Sequence, residues 1–188
     1  MRIIGGRLGG RKINPPAAMP FTRPTTDIAK EGLFNILQNN LDISVRKTLD
    51  LFGGTGSISY ELASRGAKDL TVVEKDPKMF DFIRNTAGAL GLKNFKVVKM
   101  DAFRFMEQCT GQFDFIFAGP PYALGNIDEI PAMIFERHLL NTGGWLVLEH
   151  TKGNQFEGFP FFRTARNYGT TYFSIFINRE KLKDEQER

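Results

Sequence analysis

Residues 48–59 read TLDLFGGTGSIS: a short apolar run holding one acid, then three glycines within four positions, then residues suited to a helix. The run predicts a buried strand, the glycines a tight turn that lets backbone pass close beneath a ligand, and the remainder a helix opening at that turn. The Gly54-x-Gly56 pattern alone is weak. A dinucleotide fingerprint wants a further glycine three residues after the second, and Ser59 stands there, so a nicotinamide cofactor is disfavoured. Asp50, inside the strand just before the glycines, would repel a pyrophosphate and suits a cationic ligand.

The same alternation extends in both directions. Apolar runs recur at residues 70–74 (LTVVE), 95–98 (FKVV), 113–117 (FDFIF) and 145–150 (WLVLEH), separated by helix-like segments. Strand and helix in alternation predict parallel strands joined by crossovers, an α/β fold. Asp76-Pro77 forms a cap and first-turn pair, Phe80, Ile83, Ala87 and Leu90 a helical stripe, and Gly91 a stop. Upstream, Leu33, Phe34, Leu37 and Leu41 recur at helical spacing after Thr26 or Asp27 as N-cap. After residue 150 two strand-like runs, FFRTARNYG and TYFSIFIN, flank a turn at Tyr168-Gly169 and predict an antiparallel hairpin closing the sheet.

With 188 residues, 41% of them hydrophobic, the chain suits one globular domain with a sizeable core. Cys109 is the only cysteine, and His138 and His150 the only histidines, which leaves no disulfide framework and no zinc-like spacing; no metal is expected. The opening MRIIGGRLGGRKI lacks the apolar core and cleavage site of a signal peptide, and no run reaches the roughly 20 apolar residues of a membrane span, so a cytoplasmic location is expected. Charge is unevenly placed. Residues 1–30 hold six basic residues against the single acid Asp27, whereas the rest carries 19 basic and 20 acidic residues. Arg2, Arg7, Arg11, Lys12 and Arg23, spaced by glycines and prolines, predict an extended basic arm or a hairpin over residues 1–24 able to follow a phosphate backbone, ahead of a globular domain at 25–188. The mixed-sign run at 179–188 reads as a solvated end.

Ligands of an open α/β sheet gather at the carboxyl ends of its strands. Glu74 ends the second strand, where a carboxylate accepts hydrogen bonds from both hydroxyls of a ribose. Asp101-Ala102-Phe103 follows the third strand; Asp101 reads equally as an acceptor for an adenine amine and as a helix cap. After the fourth strand comes Gly119-Pro120-Pro121-Tyr122. Two prolines cannot continue a central strand, so the chain must leave the sheet as a rigid corner, with Tyr122 offering a ring on which a base can stack.

These features together resemble S-adenosylmethionine-dependent methyltransferases of the RsmD type, which modify guanine N(2) in 16S ribosomal RNA. The resemblance rests on MRIIGG and GRK near the start, RPTTD at 23–27, E-x-LFN at 31–35, DLFGGTG at 50–56 and PPY at 120–122. It implies a Rossmann-like class I fold with a mostly parallel sheet of about seven strands. It further implies that Asp50, Phe52, Gly53, Gly54, Thr55 and Gly56 hold the methionine part of S-adenosylmethionine. Glu74 and Lys75 would then hold the ribose, and Asp101, Ala102 and Phe103 the adenine. Arg2, Arg7, Arg11, Lys12, Arg23, Thr25 and Thr26 are expected to contact RNA, the partner being 16S rRNA within the small subunit and the enzyme a monomer.

One position departs from the family. Where its members carry Asp or Asn ahead of the prolines, this chain has Gly119, so the catalytic corner Gly119-Pro120-Pro121-Tyr122 offers only backbone carbonyls as acceptors. Losing one oriented group at a centre of developing charge costs about 10² to 10³ in rate. The residues therefore leave open a slowed enzyme, an RNA-binding assembly protein without catalysis, and a variant of an active Asp enzyme. An adenine amine methyltransferase acting on DNA fits the PPY corner but not the short chain with its basic arm.

Overall fold

The computed structural model describes residues 1–17 and 25–179, so Arg23 and most of the mixed-sign terminal run lie outside the described residues. The apolar runs form β1 (Lys47–Asp50), β2 (Asp69–Glu74), β3 (Phe95–Lys99), β4 (Phe113–Ala118), β5 (Leu140–His150), β6 (Phe162–Tyr168) and β7 (Thr171–Ile177). They pair in the order β3-β2-β1-β4-β5-β7-β6. The first five are parallel, whereas β7 runs antiparallel to both β5 and β6. This is the mostly parallel seven-stranded sheet with a C-terminal hairpin that the alternation predicts. Two details differ. Strand β5 starts at Leu140 rather than Trp145, and the hairpin loop is Gly169-Thr170, because Tyr168 still pairs with Thr171.

Five helices cover the sheet: α1 (Asp27–Asn40), α2 (Ser57–Ser64), α3 (Pro77–Ala89), α4 (Ala102–Gln108) and α5 (Glu129–Glu136). Thr26 caps α1 by accepting from the Ala29 N–H at 3.2 Å. Asp76 caps α3 through Met79 N, with Pro77 in the first turn as the sequence predicts. The buried stripe of α3 is Met79, Ile83 and Ala87, displaced from the predicted one: Phe80 is only half-buried and lies under the cations of Arg84 and Lys99. Leu33, Phe34 and Leu37 of α1 and Ile58 and Leu62 of α2 share one core with Phe115, Phe117 and Val147. Met106 of α4 and Ile130 and Ile134 of α5 share the other with Ile116, Leu146 and Leu148. Alternating side chains of β4 and β5 thus feed opposite layers, as strands covered on both faces require.

Residues 1–17 correct the expectation of an extended, flexible arm and agree with its hairpin alternative. Ile3, Leu8 and Ile13 are buried in the first core, and Arg2 and Lys12 bridge antiparallel. Each such burial stabilises by roughly 1.5–3 kcal/mol. The segment is fastened by Glu61 of α2, which is fully buried and accepts from the N–H groups of Ile4 and Gly5, both at 2.8 Å. Gly6 explains part of the opening motif: its φ is +73°, and a Cβ there would collide with the Ser64 carbonyl. Lys30, counted above among the N-terminal cations, is 1% exposed, with its Nζ 3.6 Å from Glu61 and donating to the Arg2 carbonyl and Ser57 Oγ. Burial lowers its pKa against the attraction of Glu61.

Removing one member of a buried ion pair leaves the other charge uncompensated. Glu61→Ala is therefore expected to lower unfolding free energy by about 3–5 kcal/mol in urea titrations and to expose residues 1–17 to proteolysis. A loss below about 1 kcal/mol would show that Glu61 does not hold the segment.

Candidate functional site

The strand order reverses between β1 and β4, neighbours in the sheet that are separated in sequence by β2 and β3. Loops leaving their carboxyl ends diverge there, the place where open α/β sheets bind ligands. A cavity of about 900 Å³ fills the crevice. Asp50, Phe52, Gly53, Gly54 and Thr55 line it after β1, and Glu74 and Lys75 after β2. Asp101, Ala102 and Phe103 reach it after β3, and Gly119, Pro120, Pro121 and Tyr122 after β4. Gly56 does not line it. That glycine is the N-cap of α2 at φ +81°, where a Cβ would collide with the Tyr60 ring.

Three acids define the inner electrostatics. Asp50 is 1% exposed and accepts from Ser59 Oγ at 2.7 Å. Burial raises its pKa to about 7, outweighing that hydrogen bond. Glu74 accepts from Gly54 N at 2.7 Å and Asp76 N at 2.8 Å, so it ties the glycine loop to the end of β2; burial raises its pKa as well. Glu149 near the end of β5 is 4% exposed, and burial again raises its pKa against hydrogen bonds from Thr25 and Tyr122. Among the described residues, no lysine, arginine or histidine forms an ion pair with any of the three. Lys75 and Lys78 also line the cavity, but both are exposed. Acids shielded from solvent and paired with no cation among the described residues leave the site complementary to a cationic ligand.

Asp101 is exposed and caps α4, accepting from the N–H groups of Phe103 at 2.9 Å and Arg104 at 3.2 Å, so its cap role is realised at the rim of the same cavity. The corner after β4 is braced from outside its own loop. Tyr122 OH donates to Glu149 Oε1 at 2.8 Å, and Thr25 Oγ1 donates to Glu149 Oε2 at 2.6 Å. Gly119 has no left-handed backbone; a Cβ there would lie 2.9 Å from Cε1 of the Phe117 ring and 3.7 Å from Glu149 Oε2. Space rather than conformation is what this glycine supplies. Glu149 is the site residue that motif reading missed, although it shares the signature of Asp50 and Glu74, an acid at the end of an apolar strand.

The residues predicted to contact RNA are scattered by comparison. Arg2, Arg7, Arg11 and Lys12 are exposed and do not line the cavity, and Arg2 pairs with Asp27 at 3.2 Å. Thr25 lines the cavity through its bond to Glu149, Thr26 caps α1, and Arg23 lies outside the described residues. His150 is buried between Ser174 Oγ and the Thr151 carbonyl, each 2.7 Å from a ring nitrogen. Among the described residues, no group of three or more His, Cys, Asp or Glu is placed to hold a metal ion, and no helix is long and apolar enough to cross a membrane.

Comparison with known proteins matches residues 1–177 to the family described as conserved hypothetical protein 95. The chain is 31% identical over 186 residues to the putative rRNA methyltransferase YlbH of Bacillus subtilis, covering 95% of this chain and 100% of that protein. It is 34% identical over 149 residues to ribosomal RNA small subunit methyltransferase D of Escherichia coli, covering 79% of this chain and 71% of that one. The solved structure of the putative methyltransferase yhhF from Escherichia coli superposes with a TM-score of 0.83 at 26% identity, covering 96% of this chain and 99% of that one.

The buried acid at β1 gives a test with a definite sign. Burial raises the Asp50 pKa from the ordinary carboxylate value to about 7, so the group costs nothing below about pH 4, where it is protonated folded and unfolded alike, destabilises the ligand-free protein progressively as pH rises from there to about 7, and adds no further cost above that. Asp50→Asn is therefore expected to stabilise the ligand-free protein by roughly 3–4 kcal/mol at pH 8 and to be near neutral only at about pH 3.5. Thermal unfolding at both pH values checks this, and a margin independent of pH would contradict the assigned burial.

Proposed function

From the premise that the chain belongs to the conserved hypothetical protein 95 family, the RsmD-type methyltransferases, we propose that it transfers a methyl group from S-adenosylmethionine to the exocyclic N(2) of a guanine in 16S rRNA of the small ribosomal subunit. The observation that carries this reading is the crevice between β1 and β4, where a glycine loop, the buried acids Asp50 and Glu149, the half-buried Glu74 and the Pro120-Pro121-Tyr122 corner face one cavity.

The residues present fit the cofactor. A cavity of about 900 Å³ accommodates a molecule of that size, and acids with no cation partner among the described residues suit its positive charges. Asp50 and the loop at 52–55 would hold the methionine portion, with the acid drawn toward its ionised form by a neighbouring cation. Glu74 and Lys75 would hold the ribose, and Asp101, Ala102 and Phe103 the adenine. When bound, S-adenosylmethionine supplies an electrophilic methyl on sulfur. The chain's own task is to present the nucleobase. Tyr122 offers a stacking face beside the rigid diproline corner, which fixes the base without strain in the loop. Acceptors at the corner draw the amine protons, localise the nitrogen lone pair and stabilise the positive charge that develops on nitrogen. The carbonyls of Gly119 and Pro120 serve that purpose less well than an added side-chain oxygen, so the reaction is slower than with Asp or Asn at 119. Exposed Arg2, Arg7, Arg11 and Lys12 supply phosphate contacts that position the RNA without reading its sequence.

Labelled methyl transfer to small subunits and to free 16S rRNA, followed by mapping of the modified base, tests the reading. The parent chain is expected to mark one guanine at N(2). Gly119→Asn, which requires a small shift of the Phe117 ring, is expected to raise the single-turnover rate at least about tenfold. Transfer to another base would contradict the proposed substrate, and an unchanged rate would contradict the assigned cost of Gly119.

A further inference from the structure

The carboxylate of Glu149 occupies the place beside the corner from which a side-chain acceptor at position 119 would act. The parallel register Ala118↔Leu148 sets Gly119 and Glu149 side by side, one residue beyond the last paired positions of β4 and β5. An Asp or Asn carries its oxygen two bonds beyond Cβ, and Glu149 Oε2 stands 3.7 Å from where that Cβ would lie. Both residues line the same cavity as Tyr122. Resting on the function proposed above, we propose that Glu149 is the side-chain acceptor for the guanine amine in this chain, supplying part of the role left open by Gly119.

The chemistry of the group suits the role. Each carboxylate oxygen has two lone pairs. Oε1 uses one for Tyr122 OH and Oε2 one for Thr25 Oγ1, which leaves capacity on both for a ligand's N–H groups. Bracing Tyr122 and Thr25 alone would need only a neutral acceptor. Burying a carboxylate at 4% exposure, with no cation paired to it among the described residues, is costly unless further donors complete its shell, and a purine edge bearing an amine provides them. The groups facing it are the Tyr122 phenol, the Thr25 hydroxyl and, through the field across the cavity, the Asp50 carboxylate. The amine that gains a methyl group must lose one proton. Its new N–C bond uses the nitrogen lone pair while the methyl's bond to the donor sulfur breaks, the electron pair of that bond staying on sulfur so that S-adenosylhomocysteine leaves as a neutral thioether, and the N–H proton passes to the Glu149 carboxylate and from there to solvent.

Glu149→Gln keeps the shape and removes the charge. Inosine, which lacks the exocyclic amine of guanosine, separates recognition of that amine from general pocket integrity. With S-adenosylhomocysteine present, the parent is expected to bind guanosine about tenfold more tightly than inosine in calorimetry. Glu149→Gln is expected to lose that preference while S-adenosylhomocysteine affinity stays within about twofold, and to slow single-turnover transfer to small subunits by about 10²-fold. Adding Gly119→Asn to Glu149→Gln is expected to recover at least about tenfold of the lost rate, which a purely structural defect would not allow. Unchanged rate and unchanged guanosine preference would overturn the assignment, as would loss of S-adenosylhomocysteine binding along with transfer, since that marks Glu149 as a structural prop. A parent chain that methylates no guanine at all would overturn the proposed function, an outcome distinct from either.

Discussion

Parallel pairing of β1 with both β2 and β4 is the constraint on which the rest of the molecule depends. A parallel strand cannot return by a hairpin, so every connection among β1 to β5 crosses the sheet through a helix. When the strand order reverses, crossovers on either side travel to opposite faces, and the loops at the carboxyl ends separate. Here α2 and α3 feed one core and α4 and α5 the other. The crevice is a topological consequence, present before any particular side chain is placed in it.

What the chain places in that crevice is negative potential with little screening. Asp50, Glu74 and Glu149 sit at three strand ends, and burial raises all three pKa values. Such a site is poorly satisfied by itself and gains most from a ligand bearing positive charge and N–H donors. Hydrogen bonds within the protein keep it ordered meanwhile. Glu74 holds the glycine loop, Ser59 holds Asp50, and Glu149 joins the segment ahead of α1 to the corner after β4. Loss of the side chain at 119 therefore does not leave the corner without an oriented carboxylate nearby.

Much of this is legible in the residues. Short apolar runs with glycine, proline and acid at their ends announce strands and loops, and Asp76-Pro77 announces a helix start, because those signals are local. Where reading failed, the cause was long-range. Glu149 lies 27 residues from Tyr122 and 124 from Thr25, so its partners emerge only once β5 lies beside β4. Ile3, Leu8 and Ile13 look like isolated apolar residues among glycines until Glu61 gathers the adjacent N–H groups and turns the segment into the core. Lys30 reads as a surface cation for the same reason: the acid that neutralises it is on another helix. The sequence shows at 119 only a missing side-chain acceptor; the close approach of the Phe117 ring to that position emerges only from the fold.

A crystal structure with S-adenosylhomocysteine and guanosine tests the central claim most directly. The expected result is the cofactor product in the crevice between β1 and β4, its ribose hydroxyls on Glu74, with the guanine against Tyr122 and its amine toward Glu149. Density for either molecule elsewhere, or a crevice filled by the protein's own side chains, would contradict it.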